Sequence, residues 1–167
     1  MAIVEQAEIF APLEEKLRHG GCFLVTGKDQ PNIMTIGWGT AGIMWNKPVF
    51  AVPVRLSRYS HVKLEELGEF TVCVPSSLHP MKKELAIAGT KSGRNMDKIA
   101  ELGLEMEASE KISVSRIKGC GAAYECRVIY KMQMPEAELD REIVSKHYAT
   151  GDYHTIYYGE ILCCHQF

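Results

Sequence analysis

Gly37-Trp38-Gly39-Thr40-Ala41-Gly42-Ile43-Met44-Trp45-Asn46-Lys47-Pro48 is the stretch on which the fold turns. Its first six residues match Gly-x-Gly-x-x-Gly, and an apolar, strand-like run precedes them. In a doubly wound dinucleotide-binding domain those glycines open a long helix whose N-terminus faces a pyrophosphate. Here Pro48 follows too closely and would break such a helix almost at once. The match is accidental. The glycines are better read as places where strands bend or a ligand approaches the backbone.

The chain on either side keeps the same character. Cys22-Phe23-Leu24-Val25-Thr26 is a short continuous apolar run, which predicts a strand covered on both faces. Gly27 to Pro31 is a turn by composition, and the next strand begins at Asn32 and reaches about Trp38. Earlier, Ile9, Leu13 and Leu17 recur every four residues, predicting a helix from Glu5 to Arg18 that stops at His19-Gly20-Gly21. Val49 to Leu56 reads as a strand in which Pro53 marks an edge or a bulge. Ser57 has the chemistry of a helix N-cap, and Tyr59, Val62, Lys63, Leu64 and Leu67 fit a short helix closed by Gly68.

Glu69 to Val74 alternates as a half-buried strand. Helices are predicted over Met81 to Ala88 and from about Asn95 to Glu101, with the polar loop Gly89 to Arg94 between them. Alternation is clearest from Tyr124 to Gln133, which predicts one face in the core and one toward water. Pro135 opens a short helix with Leu139 and Ile143 inward, and Tyr153 to Cys164 makes a last strand rich in β-branched and aromatic residues. Six or seven mostly antiparallel strands with short helices at the edges predict a mainly β fold, a closed or split β-barrel.

At 167 residues the chain is expected to be one domain over its whole length, able to bury a real core. Its 46% hydrophobic and 24% charged residues are ordinary for a globular protein. No apolar run is long enough for a membrane helix. The first residues lack the basic segment and apolar core of a secretory signal, so the expected location is the cytoplasm. A net charge of −2 argues against broad binding of nucleic acid. The six cysteines include no Cys-x-x-Cys pair and read as reduced core thiols, and no metal site is expected. Cys163-Cys164, with His165 beside it, is the pair with redox or metal-binding chemistry as its alternative reading.

Ser57-Arg58-Tyr59-Ser60 would offer a phosphate the N–H groups of a helix start, two hydroxyls and a guanidinium, with Arg55 just ahead. The alternative is a plain cap with solvated arginines. Lys91-Ser92-Gly93-Arg94 is a second basic, glycine-containing loop before a helix. Ser76-Ser77 with His79 is the nearest approach to a hydrolase pair, and no Gly-x-Ser-x-Gly elbow surrounds it.

Taken together, Asn-Ile-Met-Thr-Ile-Gly-Trp (32–38), Val-Arg-Leu-Ser-Arg-Tyr-Ser (54–60), Gly-Glu-Phe-Thr-Val (68–72), Lys-Ser-Gly-Arg-Asn-Met-Asp-Lys (91–98) and Gly-Asp-Tyr-His-Thr-Ile-Tyr-Tyr-Gly-Glu-Ile (151–161) are more specific than any one of them. In this order they resemble the flavin reductase-like, FMN-binding split β-barrel family, nearest its flavoredoxin-like branch. The resemblance implies a Greek-key, mostly antiparallel split barrel with short peripheral helices, and a homodimer binding FMN non-covalently near the subunit interface. It implies that Asn32, Met34, Thr35 and Trp38 line the isoalloxazine and ribityl chain. Arg55, Ser57, Arg58, Tyr59 and Ser60 would hold the phosphate, and Lys91, Ser92 and Arg94 would approach from the second basic loop. His154 matches a histidine near the flavin or nicotinamide in related reductases, with a buried structural histidine as the alternative.

Three functions follow. The first is an FMN-dependent oxidoreductase fed by NAD(P)H or a protein donor. The second is an electron carrier of the flavoredoxin kind, passing electrons between proteins. The third is a non-catalytic flavin-binding protein. Hydride transfer to a flavin needs little acid–base help from the protein, which accords with the lack of a nucleophile–base pattern.

Overall fold

The computed structural model describes Ala2–Ile3 and residues 10–166. Strands β1 (Ala2–Ile3), β2 (Cys22–Thr26), β3 (Asn32–Ile36), β4 (Thr40–Met44), β5 (Lys47–Arg55), β6 (Glu69–Val74), β9 (Ala122–Gln133) and β10 (His154–Gln166) form one sheet. A separate small ladder pairs β7 (Met106–Glu107) with β8 (Arg116–Ile117). The helices are α1 (Phe10–Arg18), α2 (Tyr59–Leu67), α3 (Lys82–Thr90), α4 (Lys98–Leu102) and α5 (Arg141–His147). The predicted helix from Glu5 is described only from Phe10 onward; the Glu5–Ile9 part lies outside the described residues.

The large sheet runs β3-β2-β6-β9-β10-β5-β4, with β1 added beside β10, and its described ladders are antiparallel. Ile36 of β3 and Val52 and Val54 of β5 come from opposite ends of this path, yet share one core with Leu24, Phe70 and Tyr124. The sheet is therefore curled around its own apolar face, as a split barrel is. Each large side chain buried there contributes about 1.5–3 kcal/mol. Gly159 on β10 makes room for one of them: a Cβ at that position would lie 2.6 Å from the Phe70 ring. A second core, with Phe23, Val25, Ile33 and Cys73 from the sheet, is covered by α3 and by the segment carrying Ile112, Val114 and Ile117.

Cys22–Thr26 is buried on both faces as its apolar run predicts. So are Phe70 to Val74, where the half-buried reading of β6 fails because a second core packs on its other face. The alternation in β9 fails differently. Ala122–Cys126 is wholly buried, whereas most of Arg127–Gln133 is exposed on both faces as the strand runs past the end of β6. Thr40–Met44, within the glycine-containing stretch and assigned no element by its local pattern, is strand β4. It forms a hairpin with β5 through Trp45 and Asn46, both at positive φ (53° and 56°), the pattern of a tight primed turn. A tryptophan rarely takes that conformation, so the local turn signal was confined to Asn46. Pro53 does lie where an edge was expected, because β4 pairs with β5 only as far as Ala51. The six cysteines are free and buried, and the last strand runs on through Cys163-Cys164 to Gln166. Among the described residues no helix is long and apolar enough to cross a membrane.

Candidate functional site

The end of β3, the end of β5, the start of α2 and the loop after α3 enclose a cleft of about 310 Å³. That is within the range of small-molecule sites. Of the thirteen residues singled out from sequence, twelve line it: Asn32, Met34, Thr35, Trp38, Arg55, Ser57, Arg58, Tyr59, Ser60, Lys91, Ser92 and His154. Arg94 does not. Its guanidinium lies over the Tyr59 ring, 5.3 Å from the centroid, and donates to the Ser57 carbonyl at 2.9 Å, so it buttresses the start of α2 from outside.

Arg58, with extended backbone, is the N-cap of α2 and supplies no side-chain cap. The predicted cap, Ser57, sits one residue too early, and its hydroxyl and N–H instead donate to the Asp152 carboxylate at 2.6 and 3.1 Å. The Ser57 interaction and Arg55 hold that carboxylate below its usual range despite partial burial, which acts the other way. Arg55 donates to the carbonyls of Asp152 (2.9 Å) and His147 (2.8 Å), so much of its hydrogen bonding fixes the 147–152 loop against the turn. Asp152 escaped sequence reasoning because it is remote in the chain; a carboxylate inside the quoted 151–161 segment was the available hint.

Asn32 is buried and donates through Nδ2 to Ser60 Oγ at 2.8 Å, which leaves the Ser60 hydroxyl proton to serve another acceptor. Its Oδ1 is buried with no hydrogen-bond partner. Such an orphan acceptor costs about 1–3 kcal/mol unless something donates to it. Gly93 passes directly over this amide: a Cβ there would meet Oδ1 at 2.0 Å. Thr35 is committed to structure, its hydroxyl donating to the Leu85 carbonyl of α3 at 2.6 Å.

Lys98 is the charged cleft residue not singled out from sequence, although it closes the quoted 91–98 segment. It is buried, and its Nζ donates to the carbonyls of Ala88 and Lys91, each at 3.2 Å. Burial, helped by neighbouring Arg58, pushes its pKa down to about 8.

At the other end of the cleft Trp38 is 44% exposed, its ring 5.3 Å from that of His154 and 5.1 Å from that of His147. His154 Nδ1 lies 2.7 Å from the Tyr148 hydroxyl. Burial first, then the charge of Arg55, lowers the His154 pKa to about 4, so the imidazole is neutral at pH 7. The cleft is thus cationic and rich in donors at one end, flat and half-apolar at the other.

Outside the cleft, Glu125, Cys163 and His165 bring three metal-type ligands within 4.8 Å of one another. Arg116 Nη1, however, lies 2.6 Å from His165 Nε2 and 3.1 Å from Glu125 Oε1, and the carboxylate also accepts the N–H groups of Glu110 and Lys111. A guanidinium in that position repels a cation. This is a buried ion network.

A family model described as the flavin reductase like domain matches residues 18–166. An uncharacterised protein of Archaeoglobus fulgidus is 34% identical over 160 residues, 96% of this chain and 76% of that protein. Among solved structures, the flavoredoxin of Desulfovibrio vulgaris (Miyazaki F) matches with TM-score 0.69 and 26% identity, over 88% of this chain and 69% of that one. The flavoredoxin of Methanosarcina acetivorans matches with TM-score 0.70 and 25% identity, over 89% of this chain and 68% of that one. With its family match, its relatives and its curled antiparallel sheet in agreement, this chain belongs to the flavin reductase-like domain family.

Proposed function

We propose that the cleft binds FMN non-covalently and that the protein is an oxidoreductase moving electrons through it, with NAD(P)H or a protein as donor. The observation that carries this reading is the pairing, in one cleft, of a phosphate-suited donor cluster at the start of α2 with the flat Trp38 wall. Arg58, Ser60, Lys91 and the first-turn N–H groups of α2 would hold the phosphate. Met34 and Trp38 would flank the ring, and a ribityl hydroxyl would satisfy the orphaned Asn32 Oδ1. Bound FMN would supply the hydride and electron chemistry. The chain's own part is to neutralise the phosphate, fix the ring and keep one face accessible. Neutral His154 offers a hydrogen bond at the ring end and brings no charge there.

A flavoredoxin-type carrier, without a small-molecule substrate of its own, is the second reading, and the two flavoredoxin neighbours favour it. One experiment separates the two. The purified protein, reconstituted with FMN, is mixed with NADH or NADPH without oxygen and followed by its visible spectrum. Bleaching of the flavin band supports the nicotinamide-linked reductase, and a band that persists until a protein reductant is added supports the carrier. A protein that takes up no FMN sinks both.

We also propose that the protein is a homodimer. The β4–β5 hairpin and the outer part of β9 expose Ile43, Met44, Trp45, Tyr130 and Met132, and the Trp45 ring packs on Tyr130 and Tyr158 (5.8 and 6.4 Å). Such a patch is a usual place for a second copy. Sedimentation should give a dimer for the wild type and a monomer for Trp45→Asp; a monomeric wild type at micromolar concentration would refute the proposal.

A further inference from the structure

Lys98 stands on the wall between two cavities: the cleft, and a neighbouring space of about 380 Å³ between the β2–β3 turn and the start of α4. It is 4% exposed. An ammonium has three donors. The carbonyls of Ala88 and Lys91, at the C-terminal end of α3, engage two of them. Partial dipoles stabilise a buried cation only in part, and a buried charge ordinarily has a charged partner. The charged and titratable side chains that line the two cavities with Lys98 are Arg58 and Tyr59 from the start of α2, Lys91 from the loop after α3, Arg55 and His154 in the cleft, and Asp29 and its neighbour Asp97 in the second cavity. Asp97 caps α4, accepting the N–H groups of Ile99 and Ala100 at 3.0 and 3.1 Å. Among the described residues no carboxylate forms an ion pair with Lys98.

We infer that the missing partner is the ligand: Lys98 is an anion-binding residue of the cleft, its ammonium meeting the phosphate of the bound flavin nucleotide and needing its proton to do so. The inference rests on the FMN reading above and adds to it a residue and a pH dependence. In the ligand-free protein burial and Arg58 bring the lysine pKa down to about 8. A phosphate dianion beside it raises that value again. Binding above pH 8 must therefore take up a proton, and affinity for a phosphorylated flavin falls as pH rises through that point. Riboflavin, which has no phosphate, does not sense the change. A lysine that merely tied α3 to α4 would move both flavins alike.

The test measures dissociation constants of FMN and riboflavin on the full chain from about pH 7 to about pH 9.5, for wild type, Lys98→Arg and Lys98→Met. The preference for FMN over riboflavin should fall about tenfold across this range in wild type, and stay level in Lys98→Arg, whose charge does not titrate there. At about pH 7 the preference should be roughly 10- to 100-fold lower in Lys98→Met. A wild-type preference that ignores pH overturns the inference. So does a pH step that persists in Lys98→Arg, or a Lys98→Met protein with full preference. Should Lys98→Met fail to fold, the other two titrations decide by the same criteria. Failure of wild type to bind either flavin would instead bring down the FMN reading itself.

Discussion

Behind β9, Arg116, Glu125 and His165 bury charged and polar groups that answer one another; the cleft gathers three cations, exposed Arg58 and Lys91 and buried Lys98, for which the described residues form no ion pair. Glu125 is fully buried, and its carboxylate accepts from Glu110 and Lys111 N–H and from Arg116, with His165 at 2.6 Å. Its oxygens have protein partners throughout, and the network pins the 107–117 segment to the sheet. In the cleft the balance is left open. Asp152, the carboxylate that reaches this turn, is engaged by Ser57, while Asn32 Oδ1 is buried without a partner. Buried polar groups that satisfy each other are structure. Buried polar groups that do not, beside an opening, point to a ligand.

The largest expected effect tests the structural half of that contrast. Glu125→Ala strands Arg116 in the interior, and removing one partner of a buried pair costs about 3–5 kcal/mol. Its thermal midpoint should drop by on the order of 10 °C. FMN affinity of the folded fraction should be unchanged, and a large loss of affinity would tie the network to the cleft. Next comes the cleft itself. Arg58→Ala combined with Ser60→Ala should weaken FMN binding by about 3 kcal/mol, roughly 100-fold, and lower stability by about 1–3 kcal/mol because Asn32 Nδ2 loses its acceptor. Titration of FMN fluorescence reads this directly, and unchanged affinity would remove the phosphate from the start of α2.

The last test concerns His154, which belongs to the cleft yet is structurally satisfied. Its folded pKa, about 4, lies below the ordinary value of 6.5, so the unfolded chain binds more protons between them. The stability of the neutral form is fully present above about pH 6.5 and is lost as pH falls toward 4. His154→Gln should flatten this part of the stability–pH curve, measured by urea denaturation. A slope as steep as wild type would show that other groups carry it.

The two regions also differed in how far sequence reached them. The cleft's lining was readable in outline because its residues fall in short segments with local chemistry: hydroxyls and an arginine before a helix, a basic glycine loop, a tryptophan ending a strand. The ion network was not legible: His165 drew notice only beside Cys163-Cys164, Glu125 reads as a water-facing strand residue, and nothing local ties either of them to Arg116. Ser57 was misassigned as a cap because a competing acceptor, Asp152, comes from 95 residues away. Strand β4 was missed because its turn uses Trp45-Asn46 in place of a glycine pair.

Local patterns by themselves determined that this chain is mainly β with short helices, that its glycine run opens no dinucleotide-binding helix, and which segments carry donors for an anion. They could do so because strand burial, helix capping and turn chemistry act over a few residues. The tertiary structure decided which of those donors remain free, that Lys98 is buried among them, and which half of β9 faces water. Those outcomes depend on partners brought together across the curled sheet, and no local spacing encodes the identity of a distant partner.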